Sequence, residues 1–360
     1  MVFTCGNPFF GAPSPGALAA LRHVVPSIGQ HGQRAWNGTE IRLKRATSRR
    51  GREVRRARWE RVGLGADICP RPMAGSPGIV SCMDVYDVKH LHGMHVVHDG
   101  PRQAPPLLLI HGSGASGSSW SPVVPALADQ HHVIRVDLPG HGQSPPAPSY
   151  DVPEQAGRVA ALLDSLGLRH VTVAGHSSGG YIATALAEQR PDLVGSLALI
   201  SSGPSPGALL PQPVILRVLM APPFGPLLWS VRSDTMIRKG LSVVCNLPVD
   251  IPDDLVAEVR GIGYRTFRTV LRRNTAYIAE RSVPERLTAL GVPVLVIFGA
   301  ADRRWEPSSA HQYDAVPNTR VEQLPGVGHL PMFEAPEPTS QLLLDFAGTA
   351  ADTGARDRQA

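Results

Sequence analysis

Lysine is almost missing from this chain. Of its 35 basic side chains only Lys44, Lys89 and Lys239 are lysine, beside 36 glycines and 35 prolines, so the bias resembles a codon habit more than selection for phosphate contacts. Cysteine is also scarce: Cys5, Cys69, Cys82 and Cys245 show neither a disulfide framework nor metal-ligand spacing. A reducing compartment, the cytoplasm, is therefore expected. Long apolar runs are lacking as well. Ahead of the basic run the longest is ALAAL at Ala17–Leu21, too short for a signal h-region or a membrane span, which argues against secretion and stable membrane insertion.

The net charge of +5 is unevenly spread. Residues 1–82 hold 13 Arg and Lys against 4 Asp and Glu, a net of +9, and the remainder carries 22 against 26, a net of −4. The part able to fold is mildly acidic, so no nucleic-acid partner is expected. Residues 1–82 lack hydrophobic periodicity, and Arg42–Gly63 is a charge run without an apolar stripe. They are expected to be a disordered extension: a stretch ahead of a true start at Met73 or Met83, with a presequence or a basic arm as the less favoured readings.

From Val85 onward apolar runs alternate with helical patterns. Extended segments are expected at 107–110 (LLLI), 132–137, 170–175, 193–201, 292–299 and 319–324, apolar without strict alternation, as strands covered on both faces must be. Helices are expected at 153–166, 178–189 and 336–346. Strand and helix in alternation predict a doubly wound α/β sheet formed by 83–203 and 292–360. Between them 204–291 breaks the alternation with prolines, short apolar pieces and two helices (253–261, 266–277), and is expected to be an inserted helical lid.

The stretch Gly175-His176-Ser177-Ser178-Gly179 fits G-x-S-x-G and lies between an expected strand and an expected helix. So tight a corner forces the serine into an unfavourable backbone conformation, and residues two positions away must lack side chains. Ser177 is the expected nucleophile. A serine hydroxyl needs a base held by a carboxylate, and the order should be acid, then histidine. Asp302 follows the strand ending at Gly299, and His329 lies beyond the last strand. Of the rival histidines, His111 and His141 sit in glycine-flanked loops, His176 is held in the elbow and His311 is on a helix face. The developing oxyanion needs fixed donors, expected from the backbone N–H of Ser178 at its helix start and of Ser113 in the glycine-rich loop after LLLI. Trp120, Trp229 and Leu330 are expected to help line an apolar substrate pocket.

The motifs HGSGASGSSW (111–120), DLPGHGQS (137–144), GHSSGG (175–180) and GAAD…GVGH resemble those of the α/β-hydrolase fold superfamily, in particular its serine-nucleophile esterase and lipase-like members. The resemblance implies a mostly parallel eight-stranded sheet with helices on both faces, a lid after strand six, and neither metal nor organic cofactor. It also implies that DLPGHGQS is structural, so that Asp137 is not the acid. The expected activity is hydrolysis of a carboxylic ester or related acyl compound with an apolar group, through an acyl-enzyme. Carbon–carbon bond hydrolases and cofactor-free haloperoxidase-like members are the alternatives within the fold, and a non-catalytic ligand receptor is the alternative of another class.

Overall fold

The computed structural model describes residues 89–211, 214–219 and 221–357. By compactness the chain divides into Met1–Gly75 and Ser76–Ala360, and everything described belongs to the second unit. The expected disordered extension over 1–82 lies outside the described residues.

Strands β1 (Lys89–Leu91), β2 (Met94–Asp99), β3 (Pro106–Ile110), β4 (His132–Val136), β5 (Val171–His176), β6 (Val194–Ile200), β7 (Val294–Gly299) and β8 (Thr319–Leu324) form one sheet in the order β1-β2-β4-β3-β5-β6-β7-β8. The pairs β1/β2 and β2/β4 are antiparallel and every other pair is parallel. The fold is α/β with a mostly parallel sheet. Helices α1 (Val124–Ala128), α2 (Val152–Ser165) and α3 (Ser178–Gln189) precede β6. Between β6 and β7 come α4 (Val214–Leu219), α5 (Phe224–Ser230), α6 (Asp234–Ser242), α7 (Asp253–Gly261), α8 (Tyr264–Glu280) and α9 (Val283–Thr288). After β8 follow α10 (Pro331–Glu334) and α11 (Pro336–Asp357).

Successive residues of a strand point to opposite faces. In β3, Leu108 and Ile110 join a core with Val159, Leu162, Leu163, Ile182 and Leu186 from α2 and α3, while Leu107 and Leu109 join a second core with Leu127 and Leu343 from α1 and α11. In β7 the same division separates Val294, Val296 and Phe298 from Leu295 and Ile297. Burial on both faces explains why these strands read as continuous apolar runs. Each such side chain contributes on the order of 1.5–3 kcal/mol, so the sheet is a stiff platform for the loops at its carboxyl edge.

Two strands are absent from the sequence reading: β1 and β2. In β2, MHVVHD, polar side chains interrupt the apolar ones, yet His95 and His98 are buried because each has a partner. His95 Nδ1 lies 2.9 Å from Asp137 Oδ2, and His98 Nδ1 lies 2.9 Å from His132 Nε2. A search for apolar runs passes over a strand whose buried apolar residues, Met94 and Val96, are interrupted by buried, paired imidazoles.

Candidate active site

The β5–α3 corner brings the backbone of Ser177 to φ 51°, ψ −119°. That is the left-handed region, where a side chain is strained. The crowding that enforces the corner is visible at the flanking glycines. A Cβ on Gly175 would lie 2.5 Å from the Gly179 backbone, and one on Gly179 would lie 2.3 Å from Ile110 O. The corner is pinned from β6 as well: Ser177 N–H donates to Ile200 O at 2.7 Å, and Ser202 Oγ donates to Ser177 O at 2.8 Å.

His329 and Asp302 reach this corner from loops after β8 and β7. Ser177 Oγ is 3.2 Å from His329 Nε2, and His329 Nδ1 is 2.9 Å from Asp302 Oδ2. Because an ionised carboxylate only accepts, Nδ1 carries the imidazole proton and Nε2 is left as the acceptor for the serine hydroxyl. Asp302 Oδ1 accepts the N–H groups of Arg304 (2.7 Å) and Trp305 (3.0 Å). Burial alone would raise this carboxyl, but the imidazole and the two N–H donors outweigh it and hold it below the usual carboxylate range. All three side chains are buried, with Ser177 the most exposed at 7%.

The rival histidines have other partners. His111 donates from Nδ1 to Gly112 O at 2.8 Å, and its Nε2 accepts from Leu138 N–H at 2.9 Å, so it fastens one site loop to the next. His141 donates to Pro139 O at 3.0 Å. His176 donates from Nε2 to His329 O at 2.9 Å, which places the elbow and the histidine loop in register. Burial lowers His141 and His176 to about 3, so both are neutral at ordinary pH. His311 is exposed beside Asp314. Asp137 is a loop anchor: its carboxylate meets the N–H of Gly117 at 2.7 Å, the N–H of Gln143 at 2.9 Å and the His95 ring.

Ser113 and Ser178 come together, their hydroxyls 2.8 Å apart. Ser178 begins α3, so its N–H is one of those in a first helical turn that have no intrahelical acceptor. The apolar lining residues separate. Trp120 is fully buried in the core with Leu107, Leu109 and Leu127, and there it is a packing residue. Leu330 belongs to that same core with 8% exposure. Trp229 is half-buried on α5, stacked on Phe267 at 4.8 Å and donating its indole N–H to Ile262 O at 2.8 Å. Phe267 itself covers the glycine-rich loop, its ring edge 3.0 Å from where a Cβ on Gly114 would be.

Three polar residues of the site escaped the sequence reading. Asn274 of α8 donates its amide to Ser113 Oγ at 2.9 Å. Glu258 of α7 accepts from Ser116 Oγ, and burial raises its carboxyl. Glu334 of α10 accepts four backbone N–H groups: Asn246 at 2.7 Å, Leu247 at 2.9 Å, Gly328 at 2.8 Å and Leu330 at 3.0 Å. A legible signal existed only for Asn274, the one carboxamide among the buried positions Val270, Asn274, Tyr277 and Ile278. Among the described residues no three His, Cys, Asp or Glu side chains are grouped to hold a metal, and no helix is long and apolar enough to cross a membrane.

A sequence profile described as "Alpha/beta hydrolase family" matches residues 107–342. The chain belongs to the alpha/beta hydrolase family. This hydrolase-family chain is 30% identical over 268 residues to the uncharacterized protein Mb2734 of Mycobacterium bovis, covering 68% of this chain and 76% of that one. It is also 30% identical over 251 residues to the pimeloyl-[acyl-carrier protein] methyl ester esterase of Aeromonas hydrophila, covering 68% of this chain and 96% of that protein. Among solved structures, a bacterial membrane phospholipase A superposes with a TM-score of 0.62 at 28% identity, covering 74% of this chain and 86% of the other.

Proposed function

We propose that this chain is a serine hydrolase that cleaves a carboxylic ester, or a related acyl compound with an apolar group, through an acyl-enzyme. The observation that carries the reading is the contact sequence Ser177 Oγ, His329 Nε2, His329 Nδ1, Asp302 Oδ2, with separations of 3.2 and 2.9 Å. The hydrolase family to which the chain belongs, and a methyl ester esterase among its relatives, support the same chemistry.

The steps follow from the proton positions. Ser177 Oγ attacks the acyl carbon as its proton passes to His329 Nε2, and the Asp302 carboxylate stabilises the imidazolium so formed. The carbonyl electron pair moves onto oxygen, where the backbone N–H groups of Ser113 and Ser178 receive it. A single donor of this kind is worth about 10²–10³ in kcat. The tetrahedral species then breaks its bond to the leaving alcohol, which takes the proton from Nε2. Water, deprotonated by His329, repeats the sequence on the acyl-Ser177 ester and frees the acid.

In this reading α4–α9 serve as a lid, and Trp229, Phe267 and Tyr264 supply its apolar lining. Tyr264 and Phe267 both contact Trp229, and Phe267 overlies Gly114 of the loop assigned to the oxyanion. The enzyme is read as cytoplasmic and cofactor-free, acting on a small apolar molecule, with Cys245 buried and its thiol pushed up to about 12 by that burial and the nearby Glu334 carboxylate. Turnover of short p-nitrophenyl esters by the purified protein, abolished by Ser177→Ala, is the expected result. Failure to turn over any ester, thioester or lactone would favour the receptor reading, and cleavage confined to vinylogous diketones the carbon–carbon hydrolase reading.

A further inference from the structure

The buried stripe of α8 contains one side chain that does not belong among hydrocarbon. Asn274 is only 5% exposed, between Val270 and Tyr277, and a buried carboxamide lowers stability wherever its hydrogen-bonding groups lack partners. Half of it is satisfied, by donation to Ser113 Oγ at 2.9 Å. The other half is not: Asn274 Oδ1 is buried and has no partner.

The serine pair is also left with one group over. Ser113 Oγ and Ser178 Oγ are 2.8 Å apart and either can donate to the other. Two hydroxyls have two hydrogens, and the bond between them uses one. Beside the nucleophile there is thus one unused acceptor, Asn274 Oδ1, and one unused hydroxyl donor. A hydroxyl group complements both, since it donates once and accepts as well. An amide N–H would use only the acceptor, and an ether or ketone only the donor.

We propose that Asn274, Ser113 and Ser178 form a recognition subsite for a hydroxyl group carried by the substrate close to its scissile carbonyl. The proposal deepens and rests on the hydrolase reading above. It places substrate selection on the lid helix, with α8 supplying the acceptor and the loop after β3 and the elbow supplying the donor. Ser178 directly follows Ser177 in the chain, so a hydroxyl held there is within a few bonds of the attacked carbon.

The test compares three esters in a pH-stat: propyl butyrate, propyl 3-hydroxybutyrate and 2-hydroxypropyl butyrate. The second puts the hydroxyl on the acyl side and the third on the alcohol side. The wild-type protein is expected to prefer one hydroxylated ester over propyl butyrate by about tenfold in kcat/KM, a ratio that cancels changes common to all three. Asn274→Leu is expected to bring that preference to within about twofold of unity, and Ser113→Ala, which keeps its backbone N–H, to reduce it in the same direction. If Asn274→Leu does not fold, Ser113→Ala alone decides. A wild-type protein that cleaves propyl butyrate without preference, or a preference that survives both substitutions, overturns the subsite and leaves only a bound water to fill it. A protein that cleaves none of the three and does not react with a fluorophosphonate at Ser177 overturns the hydrolase reading itself.

Discussion

Glu334 holds His329 from both sides. Its carboxylate accepts the N–H of Gly328 at 2.8 Å and of Leu330 at 3.0 Å, and also ties that loop to Asn246 and Leu247 between α6 and α7. His329 N–H in turn donates to Val244 O at 3.1 Å. The imidazole therefore stands on a loop fastened to the inserted helices, and Glu334 is a positioning residue. Glu334→Gln keeps an acceptor at one oxygen position and loses the other. It is expected to lower kcat about tenfold with little change in KM, the split given when an imidazole is misplaced rather than a pocket damaged. Glu334→Ala leaves four donors without this partner, the N–H groups of Gly328 and Leu330 being buried, and should cost on the order of 3 kcal/mol in urea unfolding. Equal losses in kcat and KM for the glutamine variant would contradict a positioning role.

The strain at Ser177 predicts a separation of stability from activity. A non-glycine residue in this backbone region costs on the order of 1–3 kcal/mol, part of which glycine recovers, less the greater freedom of glycine in the unfolded chain. Ser177→Gly and Ser177→Ala should both be inactive, yet the glycine variant should melt several degrees higher than the alanine variant. Thermal unfolding of the pair checks this, and an alanine variant at least as stable would mean that the corner is not strained.

Asp302 fixes which imidazole nitrogen carries the proton. In Asp302→Asn an amide N–H can face His329 Nδ1, so the tautomer with the proton on Nε2 is favoured and the serine loses its base. A fall in kcat of about 10⁴ is expected, the scale of such a tautomer switch in Ser-His-Asp sites, with substrate binding retained. Steady-state kinetics on a p-nitrophenyl ester measures it; a loss smaller than about tenfold would remove Asp302 from the proposed triad.

Acid should weaken the fold while Asp302 is still ionised. His141 and His176 titrate at about 3 in the folded chain, because burial disfavours the imidazolium, and near 6.5 when unfolded. Between these values the unfolded state binds more protons, so stability is complete above about 6.5 and declines as pH falls, by about 1.4 kcal/mol per unit for each group. The depressed carboxyl of Asp302 has the opposite reference. Its contribution is present above the unfolded carboxylate value and is lost only as pH falls through the lower folded one. Urea unfolding at pH 6.5 and pH 5 should thus differ by about 2 kcal/mol for each of these two histidines, with His111, His131 and His132, also lowered by burial, adding in the same direction, and His141→Asn should remove one such share. A pH-independent midpoint over this range would contradict the assignment of both imidazoles as neutral and buried.

Much of the fold was legible because the central parallel strands are covered on both faces and read as apolar runs; 132–137 was placed to within one residue. Strand β2 was not, since its histidines look polar until Asp137 and His132 are brought beside them by the sheet. The elbow could be read from Gly175, Ser177 and Gly179 because steric exclusion is local. Glu258 and Glu334 could not, and Asn274 shows only as a carboxamide in an otherwise apolar stripe. Each also bonds to groups 88 or more residues away in sequence, and only the approach of the inserted helices to the loop edge shows what they hold. Trp120, expected in a pocket wall, lies at the end of the 3-10 turn Gly117–Trp120 and is fully buried, an orientation that no local pattern reveals.

The most direct test of the central claim is covalent labelling of the intact protein with a fluorophosphonate, followed by mass spectrometry of the modified peptide. One adduct per chain is expected, on Ser177, with labelling slowed by orders of magnitude in His329→Ala. An unmodified Ser177 under conditions that label an authentic serine esterase, or a label that persists at full rate without His329, would contradict it.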